Sequence, residues 1–258
     1  MSLRRREVDV RGYRELAEEL RQRIDDGEFA SGDTLPRIVD LIDEYNLSRQ
    51  TVRDAIGVLA DEGLVVTMGK GGTIVRNRTR VRIPLNRYTR VLAPGGSKGP
   101  WETACAQQGL DGQMKVVHVA RVDGLDDVTN ELGLPPGSEL LYRRRYALIG
   151  SDDVVQVQHA WYPASVADEA GISGDRKIVG GVFGALTAAG YAPATATEQI
   201  ESRMPTSTEA TQLKISGKVP VLAVQRLTKA GDGQVLELLR TTAPADRIQL
   251  TYDDLPLL

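Results

Sequence analysis

The stretch from Asn46 to Leu59 limits most strongly what this chain can fold into. Ser48 belongs to the residue types that cap helix N-termini, and the apolar residues after it recur three and four positions apart. These apolar residues are Val52, Ala55, Ile56 and Leu59. The spacing predicts a helix that buries one stripe against a core and leaves its other faces exposed.

The first turn of this predicted helix carries side chains that suit DNA. They are Ser48, Arg49, Gln50, Thr51 and Arg53. A helix N-terminus offers backbone N–H groups and a positive dipole to a phosphate, and Arg and Gln can reach base edges. We therefore predict that these five residues bind DNA.

The flanking residues complete a winged helix-turn-helix pattern. Leu35-Pro36 opens a short helix, and Asn46-Leu47 forms a tight turn before the second helix. Gly63 ends that helix, and two short strand-like runs then flank the loop 69–72. We predict that Lys70, Gly71 and Gly72 form a wing tip that also contacts DNA. An ordinary helical bundle with a charged surface is the alternative.

Several pieces of residues 13–75 occur in the order found in a known family. They are Gly32-Asp33-Thr34-Leu35-Pro36, Ser48-Arg49-Gln50-Thr51-Val52-Arg53, Glu62-Gly63-Leu64 and the glycine-rich wing. Together they resemble the DNA-binding domain of GntR-type transcription regulators. The resemblance implies sequence-specific binding to double-stranded operator DNA. Arg37-Ile38-Val39 stands where the family usually has Ser-Glu-Arg, so Arg37 is the candidate to replace the family arginine that touches DNA.

Composition and charge exclude several classes of protein. The chain has 258 residues with 32 Lys and Arg against 35 Asp and Glu, so its net charge is −3 and DNA binding must come from local patches. The single cysteine, Cys105, cannot form an internal disulfide. No apolar run reaches about 20 residues, which predicts a cytoplasmic protein without a membrane span.

The chain divides into four predicted segments. Residues 1–9 are a basic arm that is either a solvated tail or a further DNA contact, and residues 10–78 are the winged helix-turn-helix. Residues 79–99 are a linker rich in glycine and proline at its end, and residues 100–258 are the second domain.

The second domain contains strand-like runs paired by hairpins, with helices between them. This order predicts an α+β fold on an antiparallel sheet. We expect Pro163 to begin a loop, and a helix at 205–214 to have Thr208 at its start. The run Trp161-Tyr162-Pro163, the segment 219–222 and Asp246-Arg247 resemble the UTRA domain of the HutC branch of GntR regulators, which shares the chorismate lyase fold. That resemblance implies effector sensing.

Three arginines follow one another on a predicted strand. Strand alternation directs Arg143 and Arg145 to one face and Arg144 to the other. In the domains that the chain resembles, arginines of this strand hold the phosphate or carboxylate of an effector. Gln158 and Glu237 are the predicted polar partners in the same pocket. The alternative is a solvated strand face with acidic partners.

The sequence offers little for catalysis. His118 and His159 stand alone on predicted strands, and neither they nor Cys105 have metal-site spacing. We expect no enzyme activity, no cofactor and no metal site. Gly181 and Ile248 depart from the family's pocket serine and tyrosine, so the ligands of known relatives are not expected here.

Three hypotheses follow from these observations. In the first, the protein is a homodimeric repressor that binds palindromic operators and is released by a small anionic effector. In the second, it is a constitutive DNA-binding regulator whose second domain only dimerises. In the third, it is a lyase-like enzyme fused to a DNA-binding module. We favour the first hypothesis.

Overall fold

The structure is a computed structural model that describes residues 10–84, 98–123, 125–176, 178 and 180–252. The chain forms two compact units. The first contains the chain up to Thr79 together with Met204–Val219, and the second contains Arg80–Arg203 and the chain from Pro220 onward. The predicted basic arm 1–9 and residues 85–97 of the predicted linker lie outside the described residues.

The first unit is a winged helix-turn-helix, as predicted. Its elements are α1 (Tyr13–Asp25), α2 (Ile38–Tyr45), α3 (Arg49–Asp61), β1 (Val65–Thr67) and β2 (Thr73–Val75). The helices enclose one core to which each contributes fully buried residues, among them Leu20, Leu41, Val52 and Leu59. The apolar stripe of α3 therefore faces inward, and its polar first turn faces outward.

Local chemistry sets both ends of α3. Ser48 is the N-cap, and its Oγ accepts a hydrogen bond from the Thr51 backbone N–H at 3.1 Å. Asn46 takes the left-handed conformation, with φ of 52°, that turns the chain between α2 and α3. At the other end, the guanidinium of Arg76 donates to the Gly63 carbonyl oxygen. These contacts fix the direction in which the first turn of α3 points.

The second unit is built on one antiparallel sheet. Its elements are β3 (Val81–Pro84), α4 (Pro100–Ala106), β4 (Gly112–Asp123), α5 (Asp126–Leu132), β5 (Glu139–Ile149), β6 (Asp153–Pro163), α6 (Ala164–Glu169), α7 (Gly181–Ala188), β7 (Pro193–Arg203), β8 (Val221–Ala230), β9 (Val235–Pro244) and β10 (Ile248–Thr251). The six-stranded sheet has the order β4-β5-β6-β9-β8-β7. Every neighbouring pair in it is antiparallel, which confirms the predicted α+β class.

Two parts of the chain differ from the predicted segments. Val81–Pro84, inside the predicted linker, is strand β3 and pairs in parallel with β10. Met204–Val219, inside the predicted second domain, belongs to the first unit. In that segment Lys218 Nζ lies 2.7 Å from a carboxylate oxygen of Asp61, and Ser216 Oγ lies 3.0 Å from the other oxygen. These bonds attach the segment to the last residue of α3.

Two local predictions are wrong. A loop was expected to begin at Pro163, but Pro163 ends β6 and is the N-cap of helix α6. Val166 and Ala167 of α6 are fully buried, so tertiary packing stabilises this short helix. The helix Ser207–Leu213 is capped by Thr206 instead of beginning at Thr208. Thr206 and Glu209 exchange hydrogen bonds between side chain and backbone, which is the capping box.

Candidate functional site

The first turn of α3 presents two uncommitted arginines. Arg49, Gln50 and Arg53 are all exposed. Neither Arg49 nor Arg53 has a hydrogen-bond or ion-pair partner among the described residues. Gln50 Nε2 donates to Asp54 at 2.7 Å, and this exposed bond can exchange for another acceptor. The surface therefore holds two free guanidinium groups beside a helix N-terminus.

The hydroxyl groups of Ser48 and Thr51 form hydrogen bonds at the N-terminus of α3. The Ser48 hydroxyl caps the helix, and its Oγ also lies 2.8 Å from Thr51 Oγ1. Both hydroxyls lie at the exposed end of α3 and retain capacity to bond a phosphate oxygen. Of the predicted DNA contacts, these two have a structural role that would persist without DNA.

Arg37 is the N-cap of α2 and is paired with Asp40. Its Nε and Nη2 donate to the two carboxylate oxygens of Asp40 at 2.9 and 3.0 Å. These bonds hold the pKa of Asp40 below its usual range and raise the pKa of Arg37. The Arg37 side chain is nevertheless 79% exposed. A DNA phosphate would have to share it with Asp40.

The wing is a short hairpin closed by a 3-10 turn. Residues Gly69–Gly71 form the turn between β1 and β2, and only the backbone of Lys70 is within the described part of the chain. Gly72 has a φ of 80°, and a β-carbon there would lie 3.0 Å from Thr34 Cγ2. This position therefore requires glycine. The segment at Thr34 bridges to Ile74 and supports the hairpin from the other side.

A cavity of about 180 Å³ lies in the second unit, against one face of the sheet. The residues predicted for the effector pocket all line it: Arg143, Arg145, Gln158 and Glu237. Strands β5, β6 and β9 position them, because β6 pairs with both of the other strands. The structure thus brings together side chains that are up to 94 positions apart in the chain.

The terminal nitrogens of Arg143 form hydrogen bonds with the loop before α7. Its Nη1 donates to the carbonyl oxygens of Ile172 and Gly174, and its Nη2 donates to that of Arg176 at 3.3 Å. The side chain is 1% exposed, and this burial lowers the pKa of Arg143. Arg143 therefore anchors the loop before α7, and it contributes little free donor capacity to the cavity.

Glu237 is the most deeply buried carboxylate among the described residues that line the cavity. The Tyr162 hydroxyl donates to one carboxylate oxygen at 2.5 Å, and Arg226 Nη2 donates to the other at 2.5 Å. Arg145 Nη2 lies 3.9 Å from the first oxygen. Burial alone would raise the pKa of Glu237, but the charges of Arg226 and Arg145 and these hydrogen bonds bring it below its ordinary value. Glu237 is therefore ionised at neutral pH.

Sequence reasoning missed Arg226 and Tyr162. A signal for Arg226 was present, because the hairpin formed by β8 and β9 brings it close to Glu237, and alternation sets it on the same face as Leu222 and Val224. Tyr162 was noticed only as part of a family motif. Burial raises the pKa of its hydroxyl, so it stays protonated and donates to Glu237.

The remaining wall of the cavity is mainly apolar. Gln156 and Gln158 form one polar edge, where Gln158 Nε2 donates to Gln156 Oε1 at 3.2 Å, and Glu102, Glu198 and Thr241 also line the cavity. The apolar residues include Trp101, Met114, Val116, Phe183, Leu222 and Val224. The indole N–H of Trp101 is directed to the Leu148 carbonyl oxygen at 3.0 Å, so this ring presents carbon atoms to the cavity.

The opposite face of the sheet carries the third arginine and the histidines. Arg144 pairs across the strands with His118 and with His159. The Tyr142 hydroxyl lies 2.6 Å from His159 Nδ1, and the two rings stack. Among the described residues, no group of three or more His, Cys, Asp or Glu is placed to hold a metal ion. No described helix is long and apolar enough to cross a membrane.

Comparison with known families finds one match in each half of the chain. Residues 12–75 match the bacterial regulatory proteins of the gntR family, and residues 107–249, more than half of the chain, match the UTRA domain. The chain belongs to the GntR family of regulators that carry a UTRA domain. It is a transcriptional regulator with a DNA-binding domain and an effector domain.

Relatives of this GntR regulator share both parts. An uncharacterised HTH-type transcriptional regulator of Streptomyces coelicolor is 28% identical over 93% of this chain and 91% of its own length. The regulator GgaR of Escherichia coli K12 is 24% identical over 83% of this chain and 79% of its own length. The crystal structure of PhnF from Mycobacterium smegmatis, at 22% identity, has the same fold, with a TM-score of 0.58 over 92% of this chain and 97% of that one.

Proposed function

We propose that this regulator is a homodimeric repressor of palindromic operators, within the HutC branch, that releases DNA when a small anionic effector binds the cavity. The observation that carries the proposal is the meeting of Arg145, Gln158 and Glu237 at one cavity of the UTRA unit. A polar cluster in an otherwise apolar cavity is typical of a small-molecule site. Its site of action is the cytoplasm, where operator DNA lies.

DNA recognition is assigned to the first turn of α3. Arg49 and Arg53 are exposed and free to bind, and a bidentate arginine–guanine contact discriminates between bases by about 1–3 kcal/mol. Gln50 is the second candidate for base contact. Ser48, Thr51, Arg37 and the wing residues Lys70, Gly71 and Gly72 are assigned to the DNA backbone, which positions the protein without reading sequence.

A dimer follows from the operator geometry. One winged helix-turn-helix reads one half-site, so a palindrome requires two copies related by a two-fold axis. Dimerisation is assigned to the second domain. Sedimentation equilibrium of the full chain tests this assignment, and a monomer at micromolar concentration would contradict it.

The effector acts by linkage. A ligand that binds the DNA-incompetent arrangement more tightly must weaken operator binding, and operator must weaken ligand binding by the same factor. The experiment has two steps. Genomic footprinting with the purified protein identifies the operator, and fluorescence anisotropy at fixed salt then measures operator affinity with and without candidate anions. Operator affinity that responds to no anion would replace the proposal with a constitutive DNA-binding regulator.

A further inference from the structure

We propose that the ligand of the cavity is a small monocarboxylate with an apolar body, such as an aryl or branched-alkyl acid, in preference to a phosphorylated sugar. This inference rests on the proposed function, because it specifies the effector of the same cavity. Four observations carry it: the commitments of the three arginines, the charge of Glu237, the apolar wall and the size of the space.

The first observation concerns donors. Arg143 uses both terminal nitrogens on loop carbonyls, and Arg226 is bound to Glu237. Arg145 is different. Its side chain is 13% exposed, its terminal nitrogens donate no hydrogen bond to any described residue, and the nearest carboxylate oxygen, on Glu237, lies 3.9 Å from its Nη2. One planar guanidinium fork of this kind matches one carboxylate group.

The second observation limits the ligand's charge. Glu237 is ionised beside Arg145 and is fixed there by Tyr162 and Arg226. A ligand carboxylate can bind the guanidinium N–H groups of Arg145 that do not face Glu237. A phosphate dianion would bring a second negative charge close to Glu237 without a second uncommitted cation among the described lining residues. The arrangement therefore favours one negative charge over two.

The third observation concerns the amides at the head group. Gln158 faces Arg145 across strands β5 and β6, so a carboxylate bound to Arg145 lies next to the amide pair. Each Gln amide carries two N–H donors, and the bond from Gln158 to Gln156 uses one of them. A second carboxylate oxygen can therefore accept from an amide while the first accepts from Arg145.

The fourth observation concerns the body of the ligand. Beyond the polar cluster, most of the wall is formed by carbon atoms of residues such as Trp101, Met114, Leu222 and Val224, and Glu102, Glu198 and Thr241 contribute its other polar side chains. Sugar hydroxyl groups placed against these carbon atoms would lose water without gaining hydrogen bonds, whereas an apolar ring or branched chain has no hydrogen bonds to lose. An engineered apolar cavity of about 150 Å³ binds benzene. The present cavity of about 180 Å³ therefore suits one ring with a short acidic arm.

Four probes separate head group from body. Phenylacetate combines an apolar body with a carboxylate, phenyl phosphate changes the head group, gluconate changes the body, and glucose 6-phosphate changes both. Isothermal titration calorimetry on the full-length protein measures each affinity, and operator anisotropy measures release. Phenylacetate should bind at least about tenfold more tightly than each of the other three. Losing a hydrogen bond to a charged group, or burying an unpaired hydroxyl, costs enough free energy to lower the affinity by about that factor.

Two matched variants locate the head group. Arg145→Met should weaken phenylacetate binding by at least about tenfold. Arg144→Met removes the same side chain from the neighbouring position on the other face of β5, and it should leave the affinity within about twofold. If Arg145→Met does not fold, Arg145→Lys keeps the charge without the fork and should bind phenylacetate more weakly than the wild type does.

The outcomes are separable. Tightest binding of glucose 6-phosphate would overturn the ligand class and leave the proposed function in place. Equal phenylacetate affinity in the wild type and in Arg145→Met or Arg145→Lys would overturn the assignment to Arg145. If none of the four probes binds, the ligand class is overturned; if the operator also responds to no anion, the effector part of the proposed function falls with it.

Discussion

Replacing Arg143 by methionine tests whether this arginine holds the loop before α7 or serves a ligand. Methionine keeps an unbranched apolar chain that fills much of the same space, and it removes all guanidinium donors. The three carbonyl groups of residues 172, 174 and 176 then lose their partner. The substitution therefore isolates the hydrogen bonds from the packing.

The expected loss follows from the exposure of those carbonyl groups. Ile172 is fully buried, so its carbonyl oxygen is left unsatisfied at a cost of about 1–3 kcal/mol. Gly174 and Arg176 are exposed and can bond water instead. The lowered pKa of Arg143 shows that its charge is costly to bury, and removing that charge offsets part of the lost charge-assisted bonding. We expect a net destabilisation of the second unit of about 2 kcal/mol.

Urea denaturation followed by tryptophan fluorescence measures this loss directly. Both tryptophans, Trp101 and Trp161, belong to the second unit, so the signal reports on the unit that contains the loop. With a urea m-value of about 2 kcal/mol/M, the midpoint should fall by about 1 M. Arg144→Met is the matched control and should move it by less than about 0.3 M. An Arg143→Met midpoint equal to that of the wild type would refute the loop-anchor interpretation.

Three further predictions concern other parts of the chain. Arg49→Ala should bind the operator with less preference over unrelated DNA, and Arg53→Ala should bind the operator with lower affinity. Each loss should be about 1–3 kcal/mol in anisotropy titrations at constant salt. If both folded variants bind as the wild type does, the first turn of α3 does not recognise DNA. Burial raises the pKa of Cys105 to about 12, so a thiol-specific reagent at pH 8 should label the native protein more than about a thousandfold more slowly than the unfolded chain. Rapid labelling of native protein would show that this thiol is accessible. Because the pKa of Glu237 in the folded protein lies below its ordinary value of 4.5, its ionisation stabilises the fold fully above that pH, and the stabilisation is lost as the pH falls through the lower folded value. The difference between the urea midpoints of wild type and Glu237→Gln should therefore narrow below about pH 4.5, and a pH-independent difference would contradict the ionised state.

Features set by neighbouring residues could be predicted from the sequence. The start of α3 depends on the Ser48 cap and on apolar spacing, and both operate within one or two turns. The long hairpin of β5 and β6 depends on two extended runs and the turn around Gly150. In each case the physical cause lies within a few positions of its effect.

Features set by distant partners could not be predicted in this way. Strand β3 is a strand because it pairs with β10, more than 160 positions later, and no local pattern specifies a parallel partner. Helix α6 exists because Val166 and Ala167 are buried against the core of the second unit. The assignment of Met204–Val219 to the first unit likewise depends on a distant residue, Asp61.

The arginines of β5 show where local reasoning ends at the candidate site. Strand alternation correctly separates Arg143 and Arg145, which line the cavity, from Arg144 on the opposite face. Alternation cannot distinguish Arg143 from Arg145, because their difference comes from the loop of residues 172–176, which returns to Arg143 and leaves Arg145 open. Three identical side chains thus have three environments. A loss of stability on changing Arg143, a loss of ligand binding on changing Arg145 and neither loss on changing Arg144 would establish that partners, and not residue type, assign their roles.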